Sequence, residues 1–372
     1  MKRPRNFRLL FLLVILLAVG SIELARERRP SFLKPGVRLC AYVTTEDGSL
    51  IVVDLIRLGV AARVPIGPSL SGAVEHPTRA EVWGVSTSGG FVWILDTRSN
   101  QVVSRIPVGA APYAVTFSPD GRLAYVAASR GETLSVIGCA ARQVISHARV
   151  PGEPVLVRVT PDGKTLLVLN HRTAAVTLHD ATSLALRATI PVTAHPDEAA
   201  ILPDSSVAFV MSRENRYLSA IDLRRGVPLS RLEMAGIPSA MILKPDGGEL
   251  YVLCPEAHGL QAINTWTHEV GDYVLLGSAP ANAALSHDAS LLYISDRAAG
   301  RVTPVDIVNR KVNLPAQAGQ SPSASRFDPG ERLLLVVNQG SGDLAVIRVS
   351  TNTLLTMIPV GSRPSGLAVK LF

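Results

Sequence analysis

The residues best equipped for chemistry are basic ones on successive connecting segments: Arg130, then His171 and Arg172, then His195, Arg213 and Arg216. The chemistry open to such a set is anion capture. Guanidinium groups offer forked donors to carboxylate or phosphate, and several cations around a low-dielectric mouth focus their field on an approaching anion. Glu214, Glu256 and Asp296 follow, with Arg297 and Arg363 further on. The face they would share is therefore dipolar and equally suited to a protein surface.

Other chemistries find less support. His147, His171, His179, His195, His258, His268 and His287 form no close ligand pair. His171 and His195 can approach each other across adjacent loops, but tetrahedral zinc would need further ligands, so no metal site is expected. Cys40, Cys139 and Cys254 are odd in number and read as buried structural thiols. There is no C-x-x-C-H for c-type heme attachment, no G-x-S-x-G elbow and no P-loop. Trp83, Trp93 and Trp266 read as core or blade-interface packing. No catalytic residue and no bound cofactor is assigned on these grounds.

The elements that must position the basic groups repeat. Pro35, Pro77, Pro119, Pro161, Pro203, Pro245, His287 and Pro329 are spaced at 42 residues. Asp54, Asp96, Gly138, Asp180, Asp222, Asn264, Asp306 and Arg348 keep the same interval. Within one unit, Tyr113–Phe117, Leu123–Ala127, Thr133–Ile137 and Gln143–Val150 are strand-like stretches, and Ser118-Pro-Asp-Gly121 is a turn. A period near 40–45 with only strand signals predicts an all-β fold, a β-propeller of four-stranded blades. Residues 37–372 hold eight intervals, giving eight blades, with seven as the fallback. Pro364–Phe372 is a lone first strand, and it is expected to complete the N-terminal blade and remove two sheet edges.

In this register Arg130, Arg172, Glu214 and Glu256 share one offset. His171, Arg213 and Arg297 share the offset before it, and His195 and Arg363 lie in fourth-to-first-strand connections. All would emerge around one mouth of the central channel. The recurring aspartates mark framework, each accepting backbone N–H groups in the following turn.

Leu250-Tyr-Val-Leu, Leu134-Ser-Val-Ile, Ile106-Pro-Val-Gly109 and Val336-Val-Asn338 resemble the YVTN-type propeller repeat of YncE-like extracytoplasmic proteins. The resemblance implies the fold and is nearly silent about chemistry. Lys2, Arg3, Arg5 and Arg8 precede the apolar run Leu9–Val19, which reads as a signal peptide or an uncleaved transmembrane anchor. Residues 1–29 are thus a targeting segment and linker, and 30–372 the propeller, placed in the periplasm or at the cell surface. The net charge of +7 owes four charges to that N-terminal cluster, and aromatics make up 5%. Nucleic-acid binding is excluded on both counts. The expected function is a non-catalytic, monomeric scaffold binding an envelope protein, peptide or anionic polymer through its loop face. The membrane is met only through the N-terminal segment. The alternative is a periplasmic enzyme or cofactor-handling propeller, either a metal-dependent lactone or ester hydrolase or a protein of d1-type heme binding or maturation. For the latter, His171 or His195 would be the axial ligand, with Arg130, Arg172 and Arg213 receiving the carboxylates.

Overall fold

The computed structural model describes residues 37–372. Leu39–Phe372 form one compact unit of eight antiparallel sheets. Blade three shows the unit: inner strand Pro112–Phe117, then Leu123–Ala128, Thr133–Gly138 and outer strand Gln143–Arg149. The second and third strands are apolar almost throughout, because both of their faces meet a neighbouring blade. Outer strands alternate or are largely exposed. Between blades lie closed apolar clusters such as Trp83, Val85, Ile94, Val126 and Ile137. Blade seven departs from the pattern. Its outer strand is split into Lys311–Val312 and Ala316–Gln317, with Pro315, which lacks a backbone donor, in the gap.

The ring closes through its C-terminus. Gly366–Leu371 is the inner strand of blade one and pairs with Leu39–Thr44, placing Leu367 opposite Val43 and Val369 opposite Ala41. Ala368 and Leu367 are buried there, whereas Leu371, at the end of the strand, is 43% exposed. Trp266 departs from expectation. Trp83 and Trp93 are fully buried, but Trp266 stands on a turn, 66% exposed. Two related ion pairs join neighbouring blades on opposite sides of the ring. Arg142 donates to Glu81 at 2.7 Å, and Glu81 also accepts from Trp83 Nε1 at 2.9 Å. Four blades on, Arg310 and Tyr251 bind Glu249 in the same way. Cys40, Cys139 and Cys254 are buried free thiols, and burial pushes the Cys139 thiol up to about 12.

The repeated aspartates act as turn residues. Asp54 Oδ1 accepts from Ile56 and Arg57, Asp180 from Thr182 and Ser183, Asp222 from Arg224 and Arg225. A second series occupies the turn between first and second strands. The carboxyls of Asp120, Asp162 and Asp288 are held below their ordinary range, first by the hydroxyls of Ser118, Thr160 and Ser286. Asp204 is lowered by Ser206 and Asp246 by the Gly248 N–H. A carboxyl depressed in the folded state contributes stability above its unfolded value, about 3.9, and loses it as pH falls through the folded value. Melting temperature is therefore expected to stay flat from neutral pH to about 5 and to fall below about 4. Replacing Asp120, Asp162 and Asp288 with Asn should flatten that acid limb. An acid limb of unchanged steepness would show that the turns are not its source.

Candidate functional site

One end of the channel opens into a cavity of about 970 Å³ on the side of blades five to eight. Its walls come from the ends of inner strands and the loops beside them. Ala240, Met241, Ile242, Ala281 and Ala283 supply apolar surface, and Glu198, Arg213, Asn282 and Arg297 supply polar groups. Blade register explains the placement: second-to-third-strand and fourth-to-first-strand connections both reach this end, so residues distant in sequence share one rim.

The rim carries a connected set of side chains. His195 Nδ1 is bonded to Glu214, leaving Nε2 without a hydrogen bond. That carboxylate holds the imidazole above its ordinary pKa. The His195 ring lies 5.7 Å from that of His171, centroid to centroid. His171 Nε2 is buried 3.3 Å from Asp197 Oδ1 but outside hydrogen-bonding geometry. Asp197 accepts the Arg213 backbone N–H at 2.6 Å, and the Arg213 side chain reaches Ser239 O at 3.0 Å and Glu198 at 3.2 Å. The approach of His171 to His195 is thus as the sequence allowed. His195 sits at φ 51°, the left-handed conformation shared by Ser69, Ala111, Glu153, Ser321 and Arg363 at the same repeat offset.

The other expected site residues divide. Arg130 is exposed on a smaller cleft with Arg149 and Arg172. Arg172 is bound to Glu132, which also takes Arg149 at 3.3 Å. Arg216 pairs with Glu233, Arg297 with Gln339 and Arg363 with Glu46, while Glu256 faces the Ile237 N–H. These contacts tie neighbouring loops of the rim together, with Arg130 exposed beside them.

Sequence reasoning missed the inner-strand groups. On the first strands, Glu198 and Asn282 line the cavity and Glu75 pairs with Arg326. The signal lay at one repeat offset: Gly72, Ala114, Leu156, Glu198, Ala240, Asn282, Ala324 and Gly366. Only two of these eight are polar, and both face the cavity. Burial raises the Glu198 carboxyl, against Arg158 and Arg213, which lower it. His76 was also overlooked. It is buried between Trp83 and Phe117, with Nδ1 accepting from Thr78 and Arg79.

Among the described residues no three His, Cys, Asp or Glu side chains converge to hold a bare metal ion. A metal carried in a macrocycle makes a smaller demand, one axial donor with cations for its carboxylates. His195, with one nitrogen fixed by a carboxylate and the other open, is such a donor on the loop face, and the cavity it does not itself line carries apolar walls with Arg213 and Arg297.

The fold and rim define an eight-bladed propeller whose mouth carries imidazoles and paired charges, and the comparisons with known proteins bear on that class. The family model of the cytochrome D1 heme domain matches residues 80–223, a stretch containing both His171 and His195. No curated protein matches the sequence. Among solved structures, dihydro-heme d1 dehydrogenase NirN in complex with DHE is 17% identical with a TM-score of 0.74, over 92% of this chain and 77% of that one. Kuenenia stuttgartiensis hydrazine synthase is 20% identical with a TM-score of 0.61, over 76% and 96%. A functionally unknown protein from Desulfotomaculum acetoxidans is 12% identical with a TM-score of 0.61, over 89% and 98%.

These findings correct three expectations. The match falls on the cytochrome D1 heme domain and not on the YVTN repeat. The strand wording that suggested YncE-like proteins reports blade packing, which different propellers share. The non-catalytic scaffold, and the reading against an enzyme, give way with it, since the structural neighbours include a dehydrogenase and a synthase. The chain is extracytoplasmic. The signal peptide or transmembrane anchor expected in residues 1–29 lies outside the described residues, among which no helix is long and apolar enough to cross a membrane.

Proposed function

We propose that the chain is the heme-handling part of an extracytoplasmic enzyme, and that the mouth of its propeller binds a d1-type heme. The observation that carries this reading is the His195–Glu214 pair. It presents an open imidazole nitrogen on the rim, within the stretch that matches the cytochrome D1 heme domain. A carboxylate on Nδ1 fixes the tautomer and makes Nε2 a better donor to iron. Arg213 and Arg297, which line the same cavity as Ala240, Met241 and Ile242, supply donors to carboxylate arms. The bound group would supply redox chemistry; the residues of this chain bind it, orient it and keep water from its faces. His171, its Nε2 turned toward Asp197, backs the His195 ring. The likeness to a dihydro-heme d1 dehydrogenase supports a tetrapyrrole of that class as the group handled.

Titrating the full-length chain with d1-type heme should shift the Soret and visible bands and saturate at one heme per chain. Iron protoporphyrin serves as the comparison. A spectrum equal to the sum of free heme and protein would remove the proposal.

A further inference from the structure

Inner strands carry two arginines in equivalent register, Arg158 in blade four and Arg326 in blade eight, on opposite sides of the channel. At that offset the remaining blades have Val74, Thr116, Ala200, Ile242, Ala284 and Ala368. The two arginines have the same backbone setting and different fates. Arg326 Nη1 lies 3.1 and 3.0 Å from the two oxygens of Glu75, two blades on. Arg158 has no such partner. Its Nε is buried without a hydrogen bond, and the nearby carboxylate, Glu198, is bonded instead to Arg213. The repeat explains the difference, since the residue standing to Arg158 as Glu75 stands to Arg326 is Leu243.

We infer that Arg158 is the receptor for a ligand carboxylate inside the channel, filling the place that Glu75 fills for Arg326. A buried guanidinium N–H left without a hydrogen bond is costly, and the repeat itself shows which chemical group satisfies it in this position. Glu198 lines the cavity and interacts electrostatically with Arg158, so a carboxylate entering by the mouth reaches this guanidinium past Glu198. Because Glu198 is held by Arg213, it does not occupy the Arg158 donors. The ligand is either a small free acid or an acidic arm of a larger molecule seated in the mouth.

Isothermal titration of the full-length chain with formate, at constant chloride and without heme, tests this directly. One formate per chain is expected, and Arg158→Met should weaken it about tenfold or more, the loss of a charge-assisted hydrogen bond. Leu243→Glu should abolish formate binding while raising the melting temperature, because it supplies the missing carboxylate from within. Arg57→Ala, on an exposed turn beside Asp54, should bind formate as the parent does. Absence of binding in the parent, or undiminished binding in both Arg158→Met and Leu243→Glu, would overturn the assignment. Loading heme first separates the sources. Formate that still binds identifies a separate small acid, whereas formate excluded by heme, together with weaker heme binding in Arg158→Met, identifies an arm of the larger ligand. The formate measurement needs no heme, so its outcome is independent of the heme-binding reading.

Discussion

A chain lacking Pro364–Phe372 is expected to lose its cooperative fold rather than a tail. These residues bring the inner strand of blade one, which pairs along its whole length with Leu39–Thr44. The strand is tied on both sides of the ring: the Val369 N–H donates to Glu75, Lys370 Nζ donates to His76 O at 2.6 Å, and Glu75 also takes Arg326. Leu367, Ala368 and Val369 are buried against neighbouring blades. Burial of Leu367 and Val369 contributes about 1.5–3 kcal/mol each, against a net stability of about 5–15 kcal/mol for a typical domain. The deletion also exposes the edge of Leu39–Thr44 and opens the ring, inviting aggregation. Circular-dichroism melting and size-exclusion chromatography should show a lowered, broadened transition or soluble aggregate. Gly366→Val is the single-residue version. A Cβ at Gly366 would meet Thr44 Oγ1 at 2.6 Å and the Gly72 backbone at 3.0 Å, so the strand could not approach as it does. Leu371→Ser, at an exposed position, should be nearly neutral. A deletion mutant melting with the parent would show that ring closure contributes nothing to stability.

The closure, the blade count and the strand boundaries were legible because propeller architecture writes itself into turns. Most blades place after their third strand a side chain that accepts backbone N–H groups of the following turn, and Asp54, Asp96, Asp180, Asp222 and Asp306 supply it. Asn264 performs the same task toward Trp266 and Thr267. The left-handed residues four positions later are less visible. Leu58, Arg142, Leu184, His268 and Arg310 all take positive φ, although none is Gly or Asn. Here the hairpin geometry overrides local preference. Trp266 was misplaced for a related reason: its type argued for burial, while its place two residues into that turn sends the side chain to solvent.

The site was less legible because residue type announces charge and not orientation. Arg172 and Arg213 read as cations of the loop face, yet Glu132 and Glu198 are their partners, and Glu198 lies on an inner strand rather than in a loop. Comparing inner strands would have found Glu198, since its repeat-mates are mostly Ala, Gly or Leu. What no single-chain comparison could supply is family: the strand wording of YVTN repeats and of the cytochrome D1 heme domain answers the same packing demand.

Removing the His195 imidazole is expected to have the largest effect on heme binding, and the backbone suggests the cleanest way to remove it. At φ 51°, Gly is accommodated without the penalty a side chain meets. His195→Gly should therefore melt at or above the parent temperature while losing the axial donor. Its heme affinity should fall by about a hundredfold, with a changed Soret position, and added imidazole should restore part of both. Glu214→Gln keeps the ring but withdraws the carboxylate that fixes it, so affinity should fall by about 10–100-fold, the range seen when an outer-shell partner of a ligating histidine is replaced. His171→Ala should have the smaller effect, because its Nε2 is turned to Asp197 and is not open to a ligand. Should His195→Gly keep the parental spectrum and affinity, His195 is not the axial donor and heme, if bound, is held elsewhere. If His171→Ala alone abolishes the shift, the roles of the two histidines are exchanged, and Asp197 must release His171 when heme binds.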